Sequence, residues 1–119
     1  MRTIIGILVI PAIMLATYIV PAPVVNHEWV VPDNHAGQLE GVTRTVLAGH
    51  TPGVFERLNE LAVGDIVRLH AYGGEITYRV IWLKTVSDDW TIDGQDRTPL
   101  VLVTCDGDSR LLIGAELIS

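Results

Sequence analysis

The sequence has a single cysteine, Cys105, so no disulfide can close within the chain. Lys and Arg together number eight, they form no run, and the formal net charge is −6. A nucleic-acid binder shows a basic patch or stripe, and none is written here. His27, His35, His50 and His70, with one thiol, do not fall at a metal-ligand spacing. No serine stands in a G-x-S-x-G context, which removes the nucleophile-elbow hydrolases. No glycine-rich phosphate loop exists, and Gly73-Gly74 reads as a hairpin turn. Internal repeats and low-complexity tracts are absent, and 119 residues leave room for one domain.

What is present begins with apolar residues, 49% of the chain, many of them in the first 25 positions. Thr3 to Val25 carries no charge, and at ~1.5 Å of rise per residue a helix of that length crosses a hydrocarbon core of ~30 Å. Pro11 would kink such a helix and Pro21 and Pro23 would end it. Arg2 and the amino terminus favour an N-terminus inside the cell membrane and the remaining domain outside. The expectation is therefore a single-pass membrane anchor at residues 1–25. A cleaved signal peptide and a buried core helix are the alternatives.

Residues 26–41 read as a linker with a first short strand near Trp29 to Val31. Residues 42–119 read as strand-rich, with candidates at Thr43 to Ala48, Ile66 to Ala71, Glu75 to Leu83, Leu100 to Thr104 and Arg110 to Ile118. Phe55, Leu58 and Leu61 fall at helical spacing and predict a short helix over Val54 to Leu61. With no βαβ rhythm, the expected class is mostly β: a closed, mostly antiparallel barrel or sandwich with one short helix, preceded by the transmembrane helix.

Three residues carry candidate chemistry. Cys105 follows an apolar strand and precedes a turn, where the sheet holds a side chain that can still meet solvent. Asp106 beside it raises a thiol pKa, so activation needs a cation from elsewhere. His50 ends another strand and can act as acid or base near neutral pH. Arg110 opens the strand after the Asp106 to Ser109 turn, and a guanidinium beside a thiol can hold a carbonyl or stabilise an oxyanion. Arg44 and Arg97 are the next cations available. Each residue also has a bland reading: a buried small cysteine, a solvated loop histidine, a strand-end arginine paired with Asp106 or Asp108. Trp29, Trp82 and Trp90 read as core or barrel-rim aromatics.

The string Leu47-Ala48-Gly49-His50, then Pro52-Gly53-Val54-Phe55-Glu56-Arg57-Leu58-Asn59-Glu60-Leu61 and Val63-Gly64-Asp65, resembles sortases. Val101-Leu102-Val103-Thr104-Cys105 resembles that family's T-L-x-T-C signature, with Val101 in place of the first Thr, and Arg110 matches the arginine that starts the last strand. The flavour is nearest the small class E and class F types. The likeness covers most of Val42 to Ser119, and the region before it is shorter than the family usually has. The resemblance implies a sortase-type barrel and a cysteine transpeptidase with catalytic His50, Cys105 and Arg110. Its partners would be secreted proteins bearing an LPxTG-like C-terminal sorting signal, and an amine of a peptidoglycan precursor or pilin lysine. It implies no cofactor for the chemistry and no metal site is expected. The alternatives are a non-catalytic peptide- or wall-binding module and a thiol hydrolase that releases the protein to water.

Overall fold

The computed structural model describes residues 4–40, 42, 44–51, 53–87, 98–106 and 109–118, with 105 and 106 described through their backbone alone. Ten strands are described: β1 (Gly6–Ile10), β2 (Leu15–Ala22), β3 (Val24–Val25), β4 (Glu28–Trp29), β5 (Ala36–Leu39), β6 (Thr45–Gly49), β7 (Ile66–Ala71), β8 (Gly74–Ser87), β9 (Leu100–Asp106) and β10 (Ser109–Leu117). Eight of them close a barrel in the order β1-β2-β5-β6-β9-β10-β8-β7, while β3 and β4 form a separate two-stranded arm. The barrel is not wholly antiparallel. β2 pairs with β5, and β6 with β9, in parallel.

The apolar N-terminal run is barrel wall and not a membrane helix. β1 pairs with β2 on one side and β7 on the other, and Leu8 and Ile10 lie fully inside. Pro11–Ile13 forms one 3-10 turn, and Met14, at φ 52°, reverses the chain into β2. No described helix is long and apolar enough to cross a membrane. Barrel strands are thus described from Gly6 onward, well before residue 42.

Local pattern accounts for the best-defined hairpin. Val67, Leu69 and Ala71 alternate inward along β7, and Tyr78 and Val80 do so on β8. Tyr72 and Gly73 both sit at positive φ, the geometry of a tight hairpin turn whose twist suits its strands.

Two apolar clusters organise the wall. The larger fills the barrel with Leu8, Ile10, Leu47, Val67, Leu69, Val80, Leu100, Leu102 and Ile113, and Phe55, Leu58 and Leu61 close over it. The expected helix at 54–61 is a single 3-10 turn, Leu58–Glu60, preceded by turns. Spacing of three, which stacks side chains on one face of a 3-10 turn, lets these three residues enter the barrel together. The second cluster lies on the outer face of β5, β6, β9 and β10: Leu39, Val46, Ala48, Val101, Val103 and Leu112, packed by Val31, Val42, Trp82 and Val86. Trp82 lies across this wall because β10 offers Gly114 beneath its ring, where any Cβ would collide with the indole. Trp82 Nε1 donates to Thr98 Oγ1 at 2.9 Å, and Lys84 Nζ sits 5.1 Å from the Trp82 ring centroid.

Candidate active site

The β6–β9 seam pairs Ala48 with Val103 and Gly49 with Thr104, and there it stops. The next positions along the two strands are His50 and Cys105. On the other side of β9, Cys105 pairs with Arg110 of β10. Backbone register therefore brings all three positions to one end of three adjacent strands. Cys105 is the penultimate residue of β9, inside the strand end and not just past it. It shares register parity with Val101 and Val103, and Arg110 with Leu112, so these positions belong to the outer-cluster face. The Cys105 side chain lies outside the described residues, as do Arg97, Trp90 and Asp108. Arg110 is partly buried, and its Nη1 donates to the Ser109 carbonyl at 3.3 Å.

Gly49 explains why the histidine follows a glycine. A Cβ there would lie 2.7 Å from Cγ and Cδ2 of Phe55 and 2.7 Å from Cγ1 of Val54. Phe55 can close the barrel mouth only if position 49 has no side chain. Its backbone N–H then donates back to the His50 carbonyl at 3.3 Å, which fixes the loop carrying the imidazole.

The His50 ring has partners that strand-end reasoning did not supply. Its Nε2 is 2.9 Å from the Val31 carbonyl and 3.8 Å from Asp33 Oδ1. The His50 side chain is 44% exposed and that of Asp33 93%, so the carboxylate acts through well-screened water. A carbonyl can only accept, so Nε2 carries a proton and the neutral ring keeps its lone pair on Nδ1. Two hydroxyls also meet at the site: Thr51 Oγ1 and Thr104 Oγ1 are 2.5 Å apart. Val31, Asp33 and Thr51 went unnoticed in the sequence. The Pro32-Asp33-Asn34 turn signal was visible there, but it read as linker. Among the described residues, no group of three or more His, Cys, Asp or Glu is arranged to hold a metal ion.

Residues 8–118 match the model of the Sortase domain. The chain belongs to the sortase family. Sortase D of Bacillus subtilis (strain 168) is 43% identical over 63 residues, 50% of this chain and 32% of that protein. The match thus spans about a third of that relative's length. Among solved structures, sortase C1 of Streptococcus agalactiae superposes with a TM-score of 0.75 at 27% identity, covering 96% of this chain and 68% of that one. Sortase C-1 of Actinomyces oris gives 0.78 at 25%, covering 96% and 71%. Sortases are in general cysteine transpeptidases, and the closed eight-stranded barrel is their fold.

Proposed function

We propose that this sortase is a cysteine transpeptidase in which Cys105 is the nucleophile, His50 the proton carrier and Arg110 the fixed cation. The supporting observation is the shared end of β6, β9 and β10, where those three positions adjoin. The Cys105 thiol passes its proton to His50 as the sulfur attacks the carbonyl carbon of the scissile peptide bond in a sorting signal. The tetrahedral oxyanion meets the Arg110 guanidinium, which cannot lose its proton near neutral pH. As the C–N bond breaks, His50 gives a proton to the leaving amine, and a thioester remains on Cys105. An acceptor amine then attacks that thioester, His50 takes its proton and passes it to the departing sulfur, and the thiol is regenerated. With Nε2–H held by the Val31 carbonyl, Nδ1 is the nitrogen that exchanges this proton.

The acceptor is a peptidoglycan-precursor or pilin amine, and the work is done at the outer face of the cell membrane. Those two points rest on the family, because Thr3 to Val25 no longer supplies the anchor. The test is cleavage of a quenched sorting-signal peptide by the full chain, with and without an amine acceptor. Cys105→Ala should abolish turnover, and the amine should convert hydrolysis product into conjugate. Turnover surviving Cys105→Ala would end the assignment, and release to water with no conjugate would make the protein a hydrolase.

A further inference from the structure

We infer that Thr51 is a positioning residue, joined to Thr104 by a hydroxyl clamp that holds His50 against Cys105; this rests on the roles proposed above. Backbone pairing between β6 and β9 ends at Gly49 and Thr104, one residue short of both groups that must exchange a proton. The Thr51–Thr104 hydrogen bond carries the seam past that point, and it ties the residue after His50 to the residue before Cys105. Its polarity follows from proton counting. Thr51 Oγ1 also lies 3.4 Å from the Phe55 carbonyl, which can only accept. A hydroxyl has one proton, so Thr51 donates to Phe55 and Thr104 donates to Thr51. The relay leaves Thr104, 4% exposed, with its hydroxyl satisfied. It also links β9, the His50 loop and the Phe55 turn through one side chain.

A bland role for Thr51 would be to brace the 50–55 turn alone. The two roles part at Thr104, because Thr104→Val deletes the clamp and leaves the Thr51–Phe55 hydrogen bond in place. Thr51→Val keeps the shape and deletes the clamp, whereas Thr51→Ser keeps the hydroxyl. Peptide turnover by the full chain should show kcat reduced on the order of tenfold in Thr51→Val, because a sub-ångström misplacement of reacting groups is felt at that scale. KM should stay within about twofold, since the clamp touches no substrate. Thr51→Ser should remain within about twofold of the parent. Thr104→Val should also lose kcat on the order of tenfold, the double variant should be no worse than Thr51→Val, and parent-like kcat in Thr104→Val would leave only the turn brace and overturn the clamp. Parent-like kcat in Thr51→Val, an effect confined to KM, or equal loss in Thr51→Ser would each overturn the clamp.

A second readout separates this inference from the reading it rests on. Cys105 is the only thiol, so alkylation by iodoacetamide reports it alone. If His50 draws the thiol proton, loosening the clamp should slow alkylation near neutral pH several-fold in Thr51→Val and not in Thr51→Ser. That result supports the clamp even if no sorting peptide is cleaved. Equal alkylation rates in all three proteins would refute it even if the parent is an active sortase.

Discussion

Gly49→Ala tests the packing that supports the histidine. The added methyl would stand 2.7 Å from three carbon atoms of Phe55 and Val54, where ordinary contact is ~3.5–4.0 Å. Phe55 has no exposed surface and packs in the barrel core with Leu58 and Leu61, so its ring cannot swing out without opening the mouth. Overpacking of this kind costs ~1–3 kcal/mol. For a domain of this size that is a fall in Tm of roughly 5–10 °C, read by calorimetry. Activity should fall further than stability accounts for, because the Phe55 N–H is bonded to the His50 carbonyl and any displacement of Phe55 moves the His50 loop. Phe55→Leu in the Gly49→Ala background should recover part of the loss, although Phe55→Leu alone destabilises. A double-mutant cycle would show this as a coupling of opposite sign to the single effects. Gly49→Ala with parent-like Tm and turnover would refute the reasoning, and so would strictly additive effects of the two changes.

Removing residues 1–25 takes away β1 and β2 and opens the sheet along β5 and β7, so a chain starting at Asn26 should lack a cooperative thermal transition in near-UV circular dichroism. A membrane-anchor segment would have been dispensable in the same experiment. In peptide turnover, His50→Ala should be nearly inactive and Arg110→Ala severely impaired, with Arg110→Lys keeping a trace because it retains charge but loses the planar fork. Burial, with a smaller contribution from Tyr72, raises the Tyr78 phenol above its ordinary value. The unfolded chain then ionises first as pH climbs past ~10, so N holds more protons than U and stability falls with rising pH. Denaturant midpoints should drop less steeply above that pH in Tyr78→Phe, and an unchanged slope would exclude Tyr78 as the cause.

Legibility in the sequence followed the clarity of alternation. Ile66–Ala71 was readable to the residue because inward Val67, Leu69 and Ala71 alternate with less buried neighbours and a turn pair follows. The last strand was displaced by one residue at each end. β1 and β2 were hidden for the opposite reason. Ile5, Met14 and Tyr18 are apolar yet exposed, at 82%, 88% and 63%, so the run lacks the polar positions that would mark a period of two. An unbroken apolar stretch then reads as a span. The parallel seams escaped too, because strand sequence does not state its neighbour. At the candidate site, strand ends pointed to positions 50, 105 and 110, which the register places at one end of three adjacent strands. The Val31 carbonyl, Asp33 and the Thr51–Thr104 bond could not be foreseen, since each depends on where a distant segment returns.

The parallel join of β6 to β9 also sets an order of events in the life of the chain. Thr51 and Thr104 are 53 residues apart in sequence, and everything between them must be made before they can meet. During synthesis β6 emerges early and remains an unsatisfied edge while the β7–β8 hairpin forms by local contact. β1 can find β7 at that stage, but the wall stays open until β9 slots between β6 and β10. Long-range closure of this kind is slow and leaves an apolar edge waiting. Positions 50 and 105 therefore stay apart until β9 and β10 have left the ribosome, and a site built on both can form only once the barrel closes.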